Sequence, residues 1–148
     1  MAIDLDGFKR INDEHGHGAG DYVLKIIAER LSNVSREVDV VARLGGDEFS
    51  IIAIGLDEKN QIIPLAERII QEADRPIIFE NVKLKVSASV GISFFLEQGK
   101  DIKDIANKAD IALYRAKEEG KNQYVFFEEE IEDKEDENKI ATPTVLTS

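Results

Sequence analysis

Four carboxylates at two places in the chain have the spacing to do chemistry. Asp47 and Glu48 follow Gly45-Gly46 between two apolar runs, Val38–Leu44 and Phe49–Ile54. A glycine pair between such runs predicts a tight hairpin, because glycine accepts positive φ without steric cost. Carboxylates at a hairpin tip, beside backbone that lacks Cβ atoms, suit a metal-held phosphate; read alone, the same tetrapeptide is a solvated turn. Asp4 and Asp6 alternate with Ile3 and Leu5, so in a strand both aspartates share one face. That pattern fits an edge-facing strand better than a buried one. If the strand lies beside the hairpin, Asp4 approaches Asp47 and Glu48, and hard oxygens from two strands plus phosphate oxygens are how Mg²⁺ is held in nucleotide enzymes.

The stretch Asp6-Gly7-Phe8-Lys9-Arg10-Ile11-Asn12-Asp13 adds groups of another kind. Gly7 permits close backbone approach, and Lys9 is a mobile point charge suited to phosphate. Asn12 and Asp21 together present the donors and acceptors that read a base edge. The plainer reading is an ordinary turn, with Asp21 in the first turn of a helix. His15 and His17 lack the cysteines or further histidines of a zinc site, and Gly16, Gly18 and Gly20 predict an irregular, closely packed loop. Lys117 and Lys121 end a helical stretch, where they could clamp phosphate or simply complement the helix dipole.

The elements that must position these groups are legible from periodicity. Ala2–Leu5 predicts a strand, and Leu24, Ile27, Ala28 and Leu31 predict a helix over about 20–33. Strands near 38–44 and 49–55 form the Gly-Gly hairpin. Leu65, Ala66, Ile69, Ile70 and Ala73 mark a second helix, with Pro64 in its first turn. Residues 76–95 read as a strand followed by a hairpin interrupted at Asn81. Ile102, Ile105, Ala106, Ala109, Ala112, Leu113 and Ala116 mark a third helix capped at Gly120, and Tyr124–Phe127 a last strand. The order is β-α-β-β-α-β with an extra β-rich insert, helix and strand. It predicts an α+β, ferredoxin-like sandwich with helices on one face of a mostly antiparallel sheet.

At 148 residues with 43% apolar content, the chain suits one domain with a real core. It has no cysteine, hence no disulfide framework and no thiolate chemistry, which fits a reducing compartment. Neither a membrane-length apolar run nor a signal-peptide pattern is visible. The net charge of −11 is uneven: residues 1–127 hold 22 acidic and 17 basic side chains, residues 128–148 eight acidic side chains and two lysines. The latter stretch reads as an acidic, solvated, disordered tail. The overall balance argues against a nucleic-acid backbone as the main ligand.

Five ordered blocks in residues 1–127 give the chain a specific resemblance. They are Ile3-Asp4-Leu5-Asp6-Gly7-Phe8-Lys9-Arg10-Ile11-Asn12-Asp13, Gly16-His17-Gly18-Ala19-Gly20-Asp21, Ala42-Arg43-Leu44-Gly45-Gly46-Asp47-Glu48-Phe49, Val86-Ser87-Ala88-Ser89-Val90-Gly91-Ile92, and Ala109–Asn122. Together they resemble the GGDEF domain of the diguanylate cyclases, with its nucleotidyl cyclase-like fold. The resemblance implies condensation of two GTP molecules into cyclic di-GMP with release of pyrophosphate, in a cytoplasmic homodimer. It implies that Asp4, the Leu5 carbonyl and Asp47 hold two Mg²⁺ or Mn²⁺ ions, and that Asp47 or Glu48 assists deprotonation of the 3′-hydroxyl. Asn12 and Asp21 would bind the guanine edge. Lys9, Lys117 and Lys121, with the backbone at Gly7 and Phe8, would hold the β- and γ-phosphates, and Gly45 and Gly46 would let the nucleotide lie against the hairpin. Arg36-Glu37-Val38-Asp39 stands where such enzymes carry a product-inhibition site, with Arg68 a further candidate for it.

The chain departs from the family's pattern at three places. His15 stands where an aromatic is common, and Lys121 replaces the usual arginine, which keeps charge but loses the bidentate fork. Met1 opens directly on the first strand, where the family has a further Asp-x-Leu-Thr segment and helix, so the chain reads as an N-terminally truncated domain with exposed apolar surface. A non-catalytic cyclic di-GMP or GTP receptor, or an inactive fragment, is the competing reading.

Overall fold

The computed structural model describes residues 1–95 and 101–128. Its elements run β1 (Ala2–Asp6), α1 (Phe8–His15), α2 (His17–Val34), β2 (Val40–Gly45), β3 (Glu48–Ile52), α3 (Lys59–Asp74), β4 (Ile77–Phe79), β5 (Val82–Leu84), β6 (Ser87–Ile92), α4 (Ile102–Glu118) and β7 (Gln123–Phe126). The main sheet has the order β2-β3-β1-β6-β7, and β4-β5 form a separate two-stranded ribbon. All pairings are antiparallel except β6 with β7. The order β2-β3-β1-β6 is the ferredoxin-like arrangement; the ribbon, α4 and β7 are the additions to it.

β1 takes the centre of the sheet, between β3 and β6, and not an edge. Ile3 and Leu5 enter one core with Val23, Ile27 and Leu31 of α2, Leu65 and Ile69 of α3, and Ala88, Val90 and Ile92 of β6. The alternate positions turn the other way. Ala2 and Asp4 of β1 lie in register with Gly91 and Ser89 of β6, and a Cβ at Gly91 would stand 2.0 Å from the Ala109 carbonyl of α4. Helices therefore cover both faces, α2 and α3 on one and α4 on the other, where one covered face was expected. The physical reason is the α4 stripe Ala109, Ala112 and Ala116, all buried. Alanines against a glycine let helix backbone meet sheet backbone without intervening side chains.

Three local expectations are corrected. The stretch after Asp6 is a helix, α1, entered through Gly7 in the left-handed conformation (φ 83°). Only Gly16 (φ 87°) breaks the chain, so Gly18 and Gly20 lie inside α2, which starts at His17. Helix α3 starts at Lys59 on a reciprocal Glu58–Gln61 capping box, which places Pro64 in the second turn, where it costs a backbone hydrogen bond. The expectation of an acidic tail falls on residues 129–148, outside the described residues. Glu128 itself pairs with Lys59 at 2.6 Å.

Candidate functional site

The end of β1, the start of α1, the β2-β3 hairpin and the C-terminal end of α4 converge on an open cleft of about 560 Å³. Each arrives for a local reason. The hairpin closes through Gly45 (φ 150°) and Gly46 (φ 51°), and Arg43 Nε donates to the Gly46 carbonyl at 3.0 Å. The Leu5 amide donates to the Asp47 carbonyl at 3.3 Å, which fixes the hairpin tip to β1. Left-handed Gly7 turns the chain from β1 into α1, so the free amides of that helix's first turn open beside the strand end. The close approach of α4 to β6 brings Lys117, the residue after buried Ala116, down onto β1.

The two β1 aspartates lie in different surroundings. Lys117 Nζ donates to Asp4 Oδ2, while Asp4 Oδ1 is buried without any hydrogen-bond partner. Burial, with Lys121 nearby, pushes the Lys117 ammonium below its ordinary pKa, and the carboxylate against it works in the opposite direction. Asp6 is saturated instead. Its oxygens accept from Ser87 Oγ at 2.9 Å, from Ser89 Oγ at 2.8 and 3.0 Å, and from the Asn122 amide at 3.1 Å. The unmet acceptor of Asp4, beside Leu5 and Asp47 in one cleft, fits a hard divalent cation; the satisfied Asp6 does not need one. Among the described residues no three acidic, histidine or cysteine side chains gather into a ligand cluster, so phosphate or water oxygens would have to complete any such site.

Most residues singled out from the sequence meet here. Asp4, Leu5, Gly7, Phe8, Lys9, Asp47, Lys117 and Lys121 all line the cleft. Glu48, opposite Asp4 in the β1-β3 register, lines a smaller adjoining cavity of about 260 Å³; Asp4 and Lys117 border both. Asn12 and Asp21 lie off this wall, on α1 and α2, where a Cβ at Gly20 would fall 1.8 Å from Asn12 Oδ1. The glycine is what lets the Asn12 amide lie against α2.

Arg36 and Asp39 occupy an exposed turn at the far end of β2 and are committed to each other. Arg36 Nη2 donates to Asp39 Oδ1 at 2.7 Å, Nε to Oδ2 at 3.2 Å, and Nη2 also to the Ile54 carbonyl at 2.6 Å. These bonds hold the Asp39 carboxyl below its ordinary value against the effect of burial. Arg68 is exposed on α3 and makes no hydrogen bond or ion pair among the described residues. Arg10, Asp13 and Glu14 also line the cleft and were not singled out from the sequence; their positions at i, i+3 and i+4 of a helix would have shown it, had the stretch been read as one. The role of Asp6 was missed as well, although the alternations Asp-x-Asp and Ser87-x-Ser89 carry the signal.

Comparison with known proteins bears on the fold and the family. A family model described as "Diguanylate cyclase, GGDEF domain" matches residues 1–123. A cyclic di-GMP phosphodiesterase, NbdA of Pseudomonas aeruginosa, is 40% identical over 131 residues, which is 88% of this chain and 17% of that protein. The chain thus spans about a sixth of the length of the curated relatives it matches first. The crystal structure of the GGDEF domain of TpbB (YfiN) from Pseudomonas aeruginosa superposes with TM-score 0.83 at 37% identity, covering 86% of this chain and 80% of that one. That of DgcB from Caulobacter crescentus, in complex with c-di-GMP, gives 0.78 at 28% identity over 84% and 74%.

Proposed function

Because the chain belongs to the diguanylate cyclase GGDEF domain family, we propose that it is the catalytic module of such an enzyme, joining two GTP molecules into cyclic di-GMP with loss of pyrophosphate. The observation that supports this most is the pairing, in one cleft, of an unpartnered buried carboxylate oxygen with three lysines and an open helix N-terminus. Carboxylates suit the metal and cations suit the polyphosphate, and a single ligand carrying both is a metal-bound nucleoside triphosphate.

The roles divide accordingly. Asp4, Asp47 and the Leu5 carbonyl would hold two Mg²⁺ or Mn²⁺ ions, which supply polarisation of the α-phosphate and acidification of the attacking 3′-hydroxyl. Lys9, Lys117 and Lys121, with the first amides of α1 beyond Gly7 and at Phe8, hold the β- and γ-phosphates and keep the leaving pyrophosphate in line. Gly45 and Gly46 leave room for the nucleotide over the hairpin. Asn12 donates and accepts, and Asp21 accepts, at the guanine edge. Asp47 or Glu48 takes the 3′-hydroxyl proton; Glu48 stands at the adjoining cavity and Asp47 in the cleft itself.

One cleft binds one GTP, so the reaction needs two copies facing each other, and we infer a catalytic homodimer. The product would bind back at Arg36 and Asp39, with Arg68 as a further contact, the guanidinium clamping phosphate or guanine. GTP supply places the work in the cytoplasm. Among the described residues no helix is long and apolar enough to cross a membrane.

The test is to incubate the purified chain with GTP and Mg²⁺ and assay cyclic di-GMP, alongside Asp47→Ala. Product that disappears in the variant supports the enzyme. No product, together with cyclic di-GMP binding that depends on Arg36, replaces it with a receptor module.

A further inference from the structure

The turn that follows α4 is unusual for residues with side chains. Lys121 (φ 63°) and Asn122 (φ 50°) both adopt the left-handed conformation, which asparagine tolerates but which is unfavourable for lysine. Such a conformation persists only where the surroundings over-determine it. On one side the turn is closed by its own helix, through the Lys121 amide to the Ala116 carbonyl at 3.0 Å. On the other it runs into β7, where Gln123 pairs with Ser89. The contact between these two restraints is Asp6, whose Oδ2 accepts the Asn122 amide at 3.1 Å.

Asp6 is in turn held by β6. A carboxylate can only accept, so Ser87 Oγ and Ser89 Oγ both donate to it, at 2.8–3.0 Å. Three donors from two segments orient both oxygens. The carboxylate is therefore a rigid post joining β1, β6 and the α4-β7 turn, at the end of the strand that carries Asp4 and Leu5. Lys121, immediately before the amide that Asp6 binds, lines the same cleft.

We propose that Asp6 is a positioning residue for the polyphosphate: through the Asn122 amide it fixes the left-handed turn that sets the Lys121 ammonium over the cleft. The proposal rests on the reading that Lys121 binds phosphate. It also gives the two alternating aspartates separate duties, Asp4 toward the cation and Asp6 toward the cation-bearing turn. Asp6→Asn keeps the size of the side chain but places an amide among donors, so at least one of the three bonds is lost.

The experiment is a double-mutant cycle of Asp6→Asn and Lys121→Ala, reading affinity for a non-hydrolysable GTP analogue and for GMP in the presence of Mg²⁺. Loss of one charge-assisted restraint should weaken the triphosphate analogue about tenfold in Asp6→Asn and leave GMP within about twofold. In the Lys121→Ala background the same change should have little further effect. Hydrogen exchange at the Asn122 amide should quicken in Asp6→Asn. If Lys121→Ala leaves the triphosphate affinity unchanged, the phosphate reading of Lys121 fails and the proposal falls with it. If Lys121→Ala weakens binding but Asp6→Asn does not, adds independently, or lowers GMP affinity equally, the proposal alone fails. Should Asp6→Asn not fold, Ser89→Ala takes its place: a smaller loss confined to the triphosphate analogue supports the post, and an unchanged or uniform affinity overturns it.

Discussion

Lys117 Nζ bonds one oxygen of Asp4 and leaves the other buried and unpartnered. The ammonium thus stands beside the carboxylate oxygen that a divalent cation would take, and removing it has two opposed consequences. Lys117→Met leaves Asp4 as a nearly buried, uncompensated anion and should lower stability by about 1–3 kcal/mol, less than for a fully buried pair because Lys117 still meets water. Millimolar Mn²⁺ should then restore more of the melting temperature in this variant than in the parent, by mass action on the folded state. A variant as stable as the parent, or indifferent to Mn²⁺, would show that Asp4 is not poised for a cation. Affinity for a GTP analogue should fall in the same variant.

Gly20→Ala separates recognition from stability. Alanine is the better helix former by about 1 kcal/mol, yet its Cβ would fall 1.8 Å from Asn12 Oδ1. The neighbour is a side-chain amide that can rotate away, so the fold should survive with its melting temperature nearly unchanged. The displaced Asn12 should cost discrimination between GTP and ATP analogues, by about tenfold for one lost base contact. Calorimetric titration with both nucleotides measures it; equal ratios in the two proteins would remove Asn12 from guanine recognition.

Gly91→Ala should behave in the opposite way. Here the new Cβ meets backbone, the Ala109 carbonyl at 2.0 Å and the Leu113 nitrogen at 2.3 Å, and neither can yield without moving α4. A loss of about 3 kcal/mol or more, at the upper end for overpacking, is expected in urea unfolding. Because α4 carries Lys117, the proposed cyclase activity should fall more than the unfolded fraction explains.

Asp39 supplies a pH test. Its carboxyl lies below the ordinary 3.8, held there mainly by the Arg36 side chain and then, against burial, by the Arg36 and Ile54 amides. A depressed folded value means the ionised form contributes stability that is complete above the unfolded pKa and is lost as pH falls through the folded one. The difference in urea midpoint between the parent and Asp39→Asn should therefore be full at pH 7 and shrink below about pH 4. A gap that widens toward acid would contradict the Arg36–Asp39 geometry.

How far the site was legible depended on whether its signal was local. The hairpin glycines, the strand before Asp6 and helix α4 are short-range patterns, and the structure places all three where periodicity predicts, although of the predicted α4 stripe only Ala109, Ala112 and Ala116 are buried and Ile102 is exposed. Helix α1 was not legible as a helix, because it is eight residues long, has no side-chain cap and is entered through a left-handed glycine. Its cleft-facing Arg10, Asp13 and Glu14 were lost with it. The start of α2 was hidden by Gly18 and Gly20, which read as loop residues but are helical because Gly20 packs beneath Asn12.

The sequence by itself determined the order of the strands and of the three longer helices, the hairpin and its carboxylates, the two lysines at the end of α4, and the family to which those motifs belong. These follow from periodicity, turn chemistry and residue type, which act over a few positions. Only the tertiary structure decided that β1 is central, that α4 covers the face opposite α2 and α3, and that Asp4 and Asp6 part company. Asp4 lies under Lys117, 113 positions away, and Asp6 is tied to Ser87, Ser89 and Asn122. No local rule fixes which partner a strand meets; that is settled when Gly91 and the alanines of α4 allow two backbones to touch.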